Sequence, residues 1–135
     1  MGSVAALLFA WAVPSRADNG MPTVLPNCIN KAPEARPAEV VFACGDGNLY
    51  ASKLKWTNWG SSQASATGVL EQNDCTPYCA AGHFHSYKVN LTASGKQRCP
   101  NGALAYATVS YTVLDKSYPY PDRKNSQNFP CRQTP

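Results

Sequence analysis

Hydrophobic and polar positions alternate most clearly in ALAYATVSYTVL, residues 103–114. Ala105, Ala107, Val109, Tyr111 and Val113 line one side of an extended chain, and Tyr106, Thr108, Ser110 and Thr112 line the other. HFHSYKVNLTAS, residues 83–94, has the same period, with Val89, Leu91 and Ala93 on one face. In LYASKLKW, residues 49–56, Tyr50, Leu54 and Trp56 fall on one face and Lys53 and Lys55 on the other. AEVVFAC, residues 38–44, offers Val40, Val41 and Phe42 as strand formers. The GDGN that follows is a turn, so the two segments predict an antiparallel hairpin. ASATGVLEQ, residues 64–72, alternates weakly, and its Gly68 marks a bulge or a close backbone approach. About five short strands punctuated by Gly, Asn and Pro, without a helical period, predict an all-β fold. The architecture is a small antiparallel β-sandwich or open barrel.

The two ends lack this pattern. Residues 1–17 hold an apolar stretch from Val4 to Val13 and close on Ser15-Arg16-Ala17, which reads as a secretory signal peptide cleaved after Ala17. That stretch is too short to cross a ~30 Å hydrocarbon core as a helix, so no membrane span is expected. Residues 18–37 carry four prolines and predict an extended N-terminal arm pinned at Cys28. The β-domain then occupies 38–114. Residues 115–135 form a Pro-rich C-terminal tail, expected to be irregular and held by Cys131.

Composition narrows the class. A chain of 135 residues makes one domain. The formal net charge of +4 is spread without a Lys/Arg run, which argues against a nucleic-acid partner. With export, the six cysteines (Cys28, Cys44, Cys75, Cys79, Cys99 and Cys131) read as disulfides whose pairing the sequence leaves open. The β body buries little surface, so these bridges are expected to supply a large share of its stability, at about 2–4 kcal/mol each.

Three motifs carry a resemblance. ACGDGNLY, then LKWTNWGSSQASATGVLEQNDCTPYCAAGHFHSY, then ATVSYTV lie within about 75 residues, 40–114. This pattern of Cys-Gly-Asp-Gly, Trp-x-x-Trp-Gly and Asn-Asp-Cys-Thr-Pro-x-Cys resembles a group of small exported actinobacterial proteins. The resemblance implies export and a compact β body, and it supplies no catalytic residues. Cys28, Cys131 and the two arms fall outside it.

The candidate chemistry sits in NDCTPYCAAGHFHSY, residues 73–87. Cys75 and Cys79 are spaced Cys-x-x-x-Cys with Pro77 between them and strands around them, which favours a structural bridge over a redox pair or a thiolate zinc site. His83 and His85 point to one face of a strand and could share a metal with Asp74, Asp46 or Glu71, with Phe84 turned inward between them. The plainer reading is two partly exposed histidines beside a turn. Glu71, His85 and Arg98 are the residue types of small secreted ribonucleases, although the chain resembles none of these. Asp46 reads as a turn residue, and Asn90-Leu91-Thr92 is a glycosylation sequon without expected consequence in a bacterial chain. Trp56 and Trp59 would face opposite sides of a strand unless the chain turns in at Gly60.

The sequence therefore predicts a secreted or extracytoplasmic, disulfide-stapled β-domain acting as a non-catalytic binding or interaction module. Its partner would be a cell-envelope or extracellular ligand. The candidate binding surface is Trp59, Tyr78, His83, His85 and Tyr87, with no catalytic residue, metal or cofactor assigned. The alternative is a small secreted hydrolase, metal- or His-dependent, using His83 or His85.

Overall fold

Each apolar segment pairs with its neighbour in the chain. The computed structural model describes Gly2 and residues 21–131, so the expected signal peptide, apart from Gly2, and the ends of both arms lie outside the described residues. The strands are β1 (Val40–Val41), β2 (Leu49–Thr57), β3 (Gln63–Asn73), β4 (Phe84–Arg98), β5 (Leu104–Val113) and β6 (Lys124–Asn128). They form one antiparallel sheet in the order β1-β2-β3-β4-β5-β6, curled into a half-barrel. A 3-10 turn at Cys79–Ala81 stands in the β3–β4 connection. Among the described residues, no helix is long and apolar enough to cross a membrane.

Alternation sorts the two faces. Ala64, Ala66, Leu70, Val89, Leu91, Ala93, Val109, Tyr111 and Val113 are buried on the concave side. Their neighbours Ser65, Thr67 and Asn90 are exposed on the convex side, with Ser110 and Thr112 partly so.

One strand breaks the alternation. The β2–β3 register slips by one residue between Ser52 and Lys55, where Lys53 takes φ 52°. This bulge puts Tyr50 and Trp56 on opposite faces, correcting the expectation that they share one. Gly68 lies under the bulge: a Cβ there would come 2.6 Å from Leu54 Cδ2 and 2.7 Å from the Ser52 carbonyl oxygen. The close approach expected at Gly68 is present.

The N-terminal arm closes the open side of the half-barrel. Val24 bridges Ala105 in parallel, at the end of β5 that β6 does not reach, and Leu25 bridges Glu34. Leu25 is 3% exposed, so the arm contributes to the core. Trp56 Nε1 donates to the Pro37 carbonyl (2.8 Å) and Trp59 Nε1 to the Thr23 carbonyl (2.7 Å). The two indoles meet edge to face at 4.8 Å, and Trp59 packs on Tyr106 at 5.0 Å. The chain turns in at Gly60 (φ 94°), after Asn58 (φ 57°), and this brings the indoles together.

Tyr106 differs from expectation. Strict alternation puts it with Thr108 and Ser110, yet it is fully buried. The ladder is interrupted one position away, where Gly95 (φ 70°) lies opposite Ala107, and the 58–62 loop folds over the ring. Its hydroxyl accepts from the Gly60 amide (2.8 Å) and donates to the Ser61 carbonyl (2.6 Å).

Two disulfides fasten the ends: Cys28–Cys44 ties the arm to the chain after β1, and Cys99–Cys131 ties the tail to the β4–β5 turn. Cys75–Cys79 closes the third. Three bridges fit an extracytoplasmic protein. The tail, expected to be irregular, contains β6. Its sequence Lys-Asn-Ser-Gln-Asn has no apolar alternation, because it is an edge strand with little buried surface. Phe129 beyond it is buried, 6.4 Å from Phe42, which in turn packs on Tyr111 at 4.9 Å.

Two outcomes test this arrangement. Bridges that close longer loops constrain the unfolded chain more. For sequence separations of 4 and 32, the entropic contributions are about 2 and about 4 kcal/mol. Removing Cys99–Cys131 by a double Ser substitution should therefore lower the denaturant midpoint more than removing Cys75–Cys79, and the reverse order would contradict the argument. Trp59→Phe keeps a ring but orphans the Thr23 carbonyl, and should cost about 1–2 kcal/mol in urea unfolding.

Candidate functional site

The 74–83 connection between β3 and β4 is organised by two side chains. Asn73, buried at the end of β3, donates through Nδ2 to Asn48 Oδ1 (3.0 Å) and to the Cys79 carbonyl (2.8 Å). Its Oδ1 accepts from the Cys75 amide at 3.0 Å. Asn73 thereby joins the connection to the β1–β2 turn. Asp46 in that turn accepts from the Asn48 amide at 3.1 Å, the turn role expected of it.

Asp74 is the second organiser. Its Oδ1 accepts from the Thr76 and His83 amides, both at 3.0 Å. Its Oδ2 lies 2.9 Å from His85 Nε2. The His83 amide, the His85 ring and the Thr76 amide, in that order, hold the Asp74 carboxyl well below the usual carboxylate range. The Cys75–Cys79 bridge spans the connection between these contacts. Gly82 completes the fit: a Cβ there would collide with Asn73 Oδ1 and stand 2.8 Å from the Cys75 amide nitrogen.

This framework presents the residues around it. Tyr78 is 63% exposed on the loop, and the His85 side chain is half exposed. His83 is exposed beside it. Phe84, expected to point inward, is 48% exposed and packs on Tyr50 at 5.8 Å. The signal was available: counting back from Val89 by twos places Tyr87 and His85 inside and leaves Phe84 with Ser86 and Lys88 on the convex face.

The other two residues of the expected surface lie elsewhere. Tyr87 is buried and meets Tyr118 edge to face at 4.8 Å, and burial pushes its hydroxyl pKa up. Trp59 sits at the opposite end of β3, roughly 33 Å away along an 11-residue strand. The structure thus brings Tyr78, His83 and His85 to one rim and separates Trp59 from them. Pattern reading missed Tyr118, whose hydroxyl donates to Gln72 Oε1 (2.8 Å), and Tyr120 packed on it at 5.2 Å. Both lie in the Pro-rich segment, which carries no period.

The residues raised for hydrolysis do not converge. Glu71 pairs with Ser86 across the sheet and accepts its hydroxyl at 2.7 Å. His85 pairs with Gln72, one position on, so it faces the other side. Arg98 is at the far end of β4 and donates to the Gly102 carbonyl. Among the described residues, no group of three or more His, Cys, Asp or Glu side chains is placed to hold a metal ion. A groove of about 250 Å³ lies between the arm and β1, floored by Leu25, Val40 and Phe129. It includes none of the sequence-predicted surface residues.

The depressed Asp74 carboxyl makes a pH prediction. A carboxyl whose pKa is lowered on folding contributes stability that is complete above the ordinary range, near 4, and is lost as pH falls through the folded value. Asp74→Asn should therefore lower the melting temperature at pH 7 and speed amide exchange at Thr76 and His83. The difference from the parent should shrink towards pH 2; a difference independent of pH would contradict the assignment.

Comparison with family models, with curated proteins and with solved structures finds no match to this chain.

Proposed function

We propose that this chain is an extracytoplasmic, disulfide-stabilised binding module that engages a cell-envelope ligand through the 74–87 rim. One observation carries the reading: Tyr78 and Phe84 are among the most exposed large apolar side chains of the described residues, Tyr78 within the Cys75–Cys79 loop and Phe84 at the start of β4, next to the Asp74–His83 contact. A rigid loop that presents rings binds without a large ordering cost, and exposed aromatics supply most of the energy at such contacts. His83, His85 and Tyr50 add polar and stacking partners around them. The three bridges and the apolar stretch at 4–13 support placing it outside the cytoplasm.

Co-sedimentation with isolated actinobacterial cell envelopes tests the proposal. The Tyr78→Ala/Phe84→Ala double variant should melt like the parent and lose retention about 10- to 100-fold, as expected for two aromatic contacts. Unchanged retention would move the binding surface elsewhere. A hydrolytic activity abolished by His85→Ala would replace this reading with the enzymatic one.

A further inference from the structure

The convex face of the sheet has an order that the rim does not explain. Lys55, Thr67, Asn90, Thr112 and Lys124 stand side by side in register across β2 to β6. The next row is Thr57, Ser65, Thr92, Ser110 and Ser126, again in register across the same strands. Neither row contains a carboxylate or an aromatic ring. Their side chains are exposed or partly exposed. Neither Lys55 nor Lys124 has a carboxylate partner among the described residues.

Three physical consequences follow from that order. Ser, Thr and Asn both donate and accept hydrogen bonds, which suits the hydroxyl groups of a sugar chain. Short side chains lose little rotamer freedom when a ligand orders them, unlike the long charged residues of many solvent faces. The lysines stand at the two ends of one row, four strand spacings apart, an arc of about 19 Å at ~4.8 Å per strand. An occupant complementary to this face is extended, hydroxyl-rich and negatively charged at intervals. A nucleic acid is less well served, because it calls for denser cations and for stacking platforms that these rows lack.

We propose that this face docks an acidic polysaccharide, laid across the strands along the Lys55–Lys124 row. The surface is separate from the 74–87 rim and stands independently of it.

Affinity electrophoresis through gels containing polygalacturonate, with neutral dextran as the comparison, tests the proposal. The parent should be retarded by polygalacturonate alone. Lys55→Glu/Lys124→Glu should weaken retardation at least tenfold, and Thr67→Val/Thr112→Val, which removes two hydroxyls at constant shape, several-fold. Lys31→Glu/Arg36→Glu makes the same change in net charge on the arm and should leave binding within about twofold. Tyr78→Ala/Phe84→Ala should also bind polygalacturonate normally, so failure of the rim proposal and of this one are separable. The proposal is overturned by absence of retardation, by equal retardation in dextran, or by equal loss in the arm variant. Tighter binding of a single-stranded oligonucleotide to the same face would overturn it as well.

Discussion

A sheet curled only halfway leaves an apolar wall that, among the described residues, no second sheet covers, and the rest of the described chain is arranged around covering it. Leu70, Val89, Leu91 and Val109 are each essentially inaccessible, so the concave side is filled. The filling comes from segments that are not part of the central strands: Leu25 from the arm, Phe42 after β1, Tyr118 and Phe129 from the tail. Such segments have little secondary structure to hold them. They are fastened instead by Cys28–Cys44 and Cys99–Cys131, and by the two indole N–H groups that reach the arm's carbonyls. A bridge typically contributes about 2–4 kcal/mol, a large fraction of a small domain's margin, so the bridges add to what the core supplies.

The Cys75–Cys79 bridge belongs to a different economy of structure. It closes so few residues that it constrains the unfolded chain little, and it lies among hydrogen bonds that already define the 74–83 connection. Its effect is local: it keeps Asp74, His83 and His85 in register with the sheet and leaves Tyr78 outside. That distinction explains why a stretch rich in Cys, His and Asp looks reactive when read as sequence. Its acidic group is consumed by backbone amides and one imidazole, and its thiols by each other.

The two faces of the sheet suggest a division of labour. The concave side and its covering arms supply stability. The rim offers rings on a rigid frame, and the convex side offers short hydroxyl and amide groups between lysines. Binding at either would draw on surface already ordered in the folded protein, which reduces the entropic cost of association.

The sequence alone determined the all-β class, the β2 to β5 cores, the turn at Asp46 and the close approach at Gly68. Each rests on local constraints: a period of two, a turn residue's own hydrogen bond, or a missing Cβ. Tertiary structure decided what local patterns cannot encode. A single extra residue in β2 reversed the relation of Tyr50 to Trp56, because one step inverts the parity of everything beyond it. Tyr106 became core because a distant loop folded over it, and β6 formed because β5 offered a free edge to a polar segment. The pairing of the cysteines and the separation of Trp59 from His85 likewise depend on which chain segments meet in space. Those meetings are set by how the sheet curls and what must cover it.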